Sequence, residues 1–154
     1  MPLDEFLSPE GVLPALRASS KKAALQELAV HAARLVGRDE REVFETLLQR
    51  ERLGSTGIGE GIAIPHGKLP GLERLVGLVA RLERPVDFEA LDGQPVDVVF
   101  LLLAPEGAGA DHLKALARVA RVVRGPGVLE RIRSARDAAA LYAVMTEAPT
   151  PQAA

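Results

Sequence analysis

Apolar residues recur along this chain at two spacings, and the change from one to the other divides it. Between residues 19 and 54 the spacing is helical. Ala24, Leu28, Ala32 and Leu35 fall on one face of a helix that Ser19 or Ser20 can cap and Gly37 can end. Asp39 caps a second helix with Val43, Phe44, Leu47 and Leu48 along one side, and Gly54 stops it. The chain then turns to unbroken apolar runs: a short one over residues 61–65, then residues 75–82 and 96–103. These last two are rich in Val and Leu and bounded by Pro and Gly, which predicts buried strands. Helical spacing returns from Asp111 through Leu113, Leu116, Val119, Ala120 and Val123 as far as Gly125-Pro126. Two shorter helices follow over 128–135 and 137–145. Near the N-terminus, residues 11–17 read as a short strand, placed at a sheet edge because Pro14 lacks an amide donor. Helices before, between and after the strands predict an α/β architecture, a central mixed sheet sandwiched by helices.

Composition narrows the function classes. The 154 residues suit one domain, taken as 1–148 with a frayed tail over 149–154. Apolar residues make up 47% but aromatics only 3%, so the core is expected to be aliphatic. A net charge of −2 gives no general pull toward nucleic acid or an anionic membrane. The absence of Cys excludes thiolate metal sites and a cysteine nucleophile on this chain. No apolar run approaches 18 residues and the N-terminus has no basic-then-apolar leader, so a cytoplasmic protein without direct membrane insertion is expected.

The densest chemistry lies in Arg50-Glu-Arg-Leu-Gly-Ser-Thr-Gly-Ile-Gly-Glu-Gly-Ile-Ala-Ile-Pro-His66-Gly-Lys68. Its glycines allow close backbone approach to a ligand, and Arg50, in the last turn of the second helix, offers a planar fork suited to phosphate oxygens. His66, between Pro65 and Gly67, is expected at a strand's end. An imidazole with a free ring nitrogen is a nucleophile at neutral pH. Ser55, Thr56 and Gly57 are candidate phosphate-binding groups, with loop fixing as the open alternative for the two hydroxyls. The loop lacks a Gly-Lys-Ser/Thr ending and a third glycine at Ile62, so it is neither a nucleotide-binding P-loop nor a dinucleotide fingerprint. No zinc-type spacing links His66, His112 and a carboxylate, and neither metal nor cofactor is called for. His31, between Leu28 and Leu35, reads as a partly buried structural residue.

The tract Gly-Ser-Thr-Gly-Ile-Gly-x-Gly-Ile-Ala-Ile-Pro-His-Gly-Lys closely resembles the phospho-accepting segment of enzyme IIA domains of the bacterial phosphoenolpyruvate-dependent phosphotransferase system. It looks like the fructose/mannitol group and most like its nitrogen-regulatory members, and the resemblance continues loosely to about Met145. It implies that His66 accepts a phosphoryl group on Nε2 from a histidine phosphocarrier protein, with Nδ1–H held by an acceptor that the sequence does not identify. It further implies that Arg50 is a donor to the transferring group and that His112, at the start of the third helix, packs near the acceptor. Expected partners are the phosphocarrier and either regulatory targets or, for a sugar-specific component, a separate IIB protein. A binding module that has lost phosphotransfer is disfavoured by the intact Arg50, His66 and His112. One departure stands out: Glu60 occupies a position where the family more often has Asn, which raises the question of whether its carboxylate repels phosphate.

Overall fold

The computed structural model describes residues 1–147, so the tail expected over 149–154 lies outside the described residues. After a short 3-10 turn at Leu3–Glu5, the chain runs through β1 (Leu7–Leu16), α1 (Lys21–Val36), α2 (Glu40–Arg52), β2 (Gly57–Gly59), β3 (Ile62–Ala63) and β4 (His66–Leu69). It continues through β5 (Val76–Val86), β6 (Val96–Pro105), α3 (Ala110–Val123), α4 (Val128–Ser134) and α5 (Ala138–Thr146). The six strands form one mixed sheet in the order β1-β5-β6-β3-β2, with β4 also paired to β6. β1 is an edge strand, which leaves room for Pro9 and Pro14.

Helices cover both faces, as the alternation of elements predicts. Along β6, Val98, Phe100 and Leu102 pack with residues of α3, α4 and α5, while Val99, Leu101 and Leu103 pack with residues of α1 and α2. The period of two in a strand thus divides one apolar run between two cores. Both cores are mainly aliphatic, with Phe6 and Phe100 buried on one face and Phe88 on the other. Helix ends follow local chemistry. Ser20 accepts from the Ala23 amide, Asp39 from Glu42 and Asp137 from Ala140, while Gly37 ends α1 in the left-handed region at φ 68°.

Two departures bear on the site. Leu113, expected on the buried face of α3, is 68% exposed, and His112 is buried in its place. His66 is not at a strand's end: it opens β4. β3 and β4 are two pieces of one line beside β6, with Ile62 opposite Val98 and His66 opposite Leu102. The line breaks at Ile64-Pro65, but Pro65 O still accepts from the Leu102 amide at 3.0 Å. The imidazole is therefore mounted on a short strand laid against the central β6.

Candidate functional site

Close packing of α2 against β4 assembles the site. Gly67 has no side chain where α2 crosses it: a Cβ there would meet Thr46 Cγ2 at 2.5 Å. Thr46 in turn donates its hydroxyl to Glu42 O at 2.9 Å, which holds its methyl in place. One helical turn beyond Thr46 lies Arg50, brought over His66 by that approach.

Hydrogen bonds define the tautomer of His66. Arg50 Nε–H donates to His66 Nε2 at 3.2 Å. An arginine cannot accept, so Nε2 carries the lone pair. On the other side, Nδ1 lies 2.8 Å from Ile64 O, and a carbonyl cannot donate, so Nδ1 carries the proton. The nucleophilic nitrogen is thus Nε2, aimed at the Arg50 guanidinium. Burial, the largest cause, pushes the His66 pKa below its ordinary 6.5; the bond to Ile64 O opposes this, the Arg50 charge adds to it and Glu51 opposes it.

His112, in the first turn of α3, meets His66 edge to face, with ring centroids 5.4 Å apart. Its pKa is also lowered, by burial first and then by His66 and Lys68. His112 Nε2 is buried and has no hydrogen-bond partner among the described residues. A buried polar atom without a partner is costly unless a ligand meets it, and His112 is one of the residues lining an open pocket with His66, Arg50 and Lys68. Thr46, Gln49, Leu53 and Gly67 complete the lining. Lys68 and Gln49 are additions to the sequence-based set; their place beside His66 follows from the α2–β4 packing.

The three candidate phosphate-binding residues Ser55, Thr56 and Gly57 lie elsewhere. Ser55 Oγ donates to Phe88 O and accepts from the Gly57 amide at 3.0 Å. Thr56 gives both its amide and its hydroxyl to Glu51, at 2.8 and 2.6 Å. Gly57 admits Ala90, whose Cβ would lie 2.8 Å from an added Cβ. All three fix the loop, and none lines the His66 pocket. His31 is half-buried on α1, as expected.

Glu60 is likewise remote. It sits in the β2–β3 turn, beyond the Val98 end of β6, whereas His66 is opposite Leu102. Four strand residues span roughly 13 Å, and Glu60 lies further still. Its side chain is exposed, while its backbone bonds Asp92 and Arg133. What distinguishes the position is φ 60°, which Asn tolerates better than Glu. Glu60→Asn is expected to raise unfolding free energy by up to about 1 kcal/mol, relieving part of that strain, with the His66 ring resonances unchanged. Denaturant melts and a histidine NMR spectrum check both; shifted His66 resonances at equal stability would contradict the placement.

The chain is similar to known proteins along nearly its whole length. The family model described as Phosphoenolpyruvate-dependent sugar phosphotransferase system, EIIA 2, matches residues 5–148. A nitrogen regulatory protein of Bradyrhizobium diazoefficiens is 61% identical over 99% of this chain and 100% of its own length. The crystal structure of Nitrogen Regulatory Protein IIA-Ntr from Neisseria meningitidis superposes with a TM-score of 0.88 at 35% identity, covering 94% of this chain and 99% of that one. IIA mannitol from Escherichia coli shares the fold, with a TM-score of 0.75 at 18% identity over 90% and 97% of the two chains. A core sheet sandwiched by helices, the glycine-rich segment ending in His66 and these similarities converge on one assignment. The chain belongs to the EIIA type 2 family of the phosphoenolpyruvate-dependent sugar phosphotransferase system, among its nitrogen regulatory members.

Proposed function

We propose that His66 is a phosphohistidine carrier site, loaded by the phosphohistidine of a histidine phosphocarrier protein, and that the chain acts in the cytoplasm as a nitrogen-type regulatory protein. The observation that carries this reading is the fixed tautomer: Nδ1–H on Ile64 O leaves the Nε2 lone pair in the pocket. In the transfer, Nε2 forms a bond to phosphorus as the N–P bond of the donor breaks, and the donor imidazole leaves with the electron pair. One N–P bond replaces another, so catalysis is a matter of alignment and of charge on the three equatorial oxygens. As phosphorus arrives, the Arg50 guanidinium gives up its bond to Nε2 and turns its donors to those oxygens. Lys68 adds positive charge, and His112 Nε2, once protonated on that nitrogen, can donate to an oxygen. Bonds of this kind strengthen in the transition state without making the product inert.

The rim suits a protein donor. Leu53 borders the pocket and is 84% exposed, and Leu113 adjoins His112. Exposed leucines around a polar centre are what a small, transient protein contact uses. Among the described residues no helix is long and apolar enough to cross a membrane.

Incubation with phosphoenolpyruvate, enzyme I and the phosphocarrier is expected to add one acid-labile phosphoryl group by intact mass; no gain with cognate carriers would refute the reading. A sugar-specific role, passing the group to a cysteine of a separate IIB protein, is the second reading, favoured by the sugar system in the family description. Transfer from phosphorylated chain to a fructose- or mannitol-type IIB protein separates the two.

The electrostatics give a further expectation. Since the charged imidazolium is the disfavoured form, the neutral, nucleophilic ring persists to lower pH than in a free histidine. An NMR titration of His66 should show its midpoint below 6.5. The same depression links to folding. Its contribution is present above the unfolded value of 6.5 and is lost as pH falls through the folded one, so acid destabilises the chain in that window. A midpoint above 6.5 would contradict the buried, Arg50-facing site.

A further inference from the structure

The loop from α2 to β2 hangs on one buried carboxylate. Glu51, 5% exposed, accepts the Thr56 amide on one oxygen and the Thr56 hydroxyl on the other. Lys21 Nζ lies 2.9 Å from the first oxygen and supplies the countercharge, held in turn by Phe88 O and Glu89. A carboxylate this deep in an aliphatic protein is costly unless paired and fully bonded, and often adds little net stability even then.

Two routes lead from that loop to the imidazole. Thr56 O accepts the Ile64 amide at 2.9 Å, and Ile64 O accepts His66 Nδ1–H. Two residues before Thr56, Gly54 O accepts Arg50 Nη1–H at 2.9 Å, and Arg50 Nε–H meets His66 Nε2. Both ring nitrogens therefore depend on one short segment, the first through Ile64 and the second through Gly54 and Arg50.

We infer that Glu51 is a positioning residue for phosphotransfer, fixing the His66 ring and the Arg50 guanidinium together by pinning Thr56 beneath them. The inference rests on the phospho-acceptor reading of His66. Glu51 itself touches neither the imidazole nor the transferring group. The string of peptide groups from carboxylate to ring also polarises along its length, and the Glu51 charge favours the protonated ring, partly offsetting Arg50.

The test uses a Lys21→Met background, so that removing the carboxylate does not strand a half-buried ammonium. In that background Glu51→Leu leaves the Thr56 amide without its acceptor. It is expected to lower the single-turnover rate of phosphoryl acceptance by about 10- to 100-fold, the loss that a displacement near 1 Å brings. The half-saturating carrier concentration should stay within about twofold, because the docking rim is untouched. Glu51→Gln, whose carbonyl oxygen still accepts from the Thr56 amide, should restore most of the rate. Ring 15N shifts of His66 read the same geometry without any phosphoryl group. A single Nδ1–H tautomer is expected in the Lys21→Met parent and in Glu51→Gln, and a mixture in Glu51→Leu. Should Glu51→Leu not fold, Thr56→Val breaks only the hydroxyl half of the pin and reads both signals at smaller amplitude, with Thr56→Ser as its rescue. Unchanged rate and an unchanged tautomer in the folded variants would overturn the inference. A wild-type chain that takes up no phosphoryl group, while the His66 tautomer still follows Glu51 in the variants, would instead overturn the acceptor reading and leave the positioning role standing.

Discussion

His66→Ala is expected to abolish phosphorylation completely while leaving a cooperatively folding protein. No other imidazole in the pocket is expected to replace it: His112 is buried against the ring of His66, and with Nε2 protonated to donate to a phosphoryl oxygen it has no lone pair there for an incoming phosphorus. The structural cost is small because His66 is half-buried and, among the described residues, bonds to only two groups, Ile64 O and Arg50. Removing the ring opens the pocket that His66 lines toward Ile64 O, where water can then take the place of Nδ1–H. A loss of about 1 kcal/mol would lower the melting temperature by roughly 2–4 °C in a chain of this size. Intact-mass measurement and a thermal melt decide together. Residual labelling of the alanine variant would move the acceptor elsewhere, and loss of cooperative unfolding would make His66 structural.

Arg50→Ala is expected to slow phosphoryl acceptance by about 10²- to 10³-fold, the effect of removing one preorganised donor worth roughly 2.7–4 kcal/mol of barrier. Arg52→Ala should stay within about twofold of wild type. The two arginines share the last turn of α2 and the same charge. They differ in aim, since Arg50 reaches His66 Nε2 and Gly54 O while Arg52 lines a different pocket, with Lys21 and Glu89. A general electrostatic effect would treat them alike, so equal losses would remove the directed role. Arg50→Lys keeps the charge without the planar fork and should recover only part of the rate.

The helices were legible because their signals are local. Ser20, Asp39 and Gly37 cap as their types predict, and apolar residues at helical spacing mark the faces of α1 and α2. β5 and β6 announced themselves as long apolar runs, though both extend further than those runs. β2 and β4 were not visible, since Gly-Ile-Gly and His-Gly-Lys-Leu carry no strand preference; β4 exists because β6 offers it a ladder. That unseen strand also moved His66 from a strand's end to the start of β4. At the site, His66, Arg50 and His112 converge as the motif implied, and the acceptor for Nδ1–H proved to be a main-chain carbonyl, Ile64 O, which no residue type can reveal. Ser55 and Thr56 were open to two readings because a hydroxyl serves a phosphate or a turn equally well. Their partners, Phe88 O and the buried Glu51, come from sequence-distant packing and from a charge that a helix pattern assigns to solvent.

The most direct test is 31P–15N correlation NMR on uniformly 15N-labelled protein after phosphorylation through the carrier. The account predicts a single phosphoramidate whose phosphorus couples to Nε2 of His66, with Nδ1 still protonated on Ile64 O. Phosphorus on Nδ1 of His66, or on His112, would contradict it.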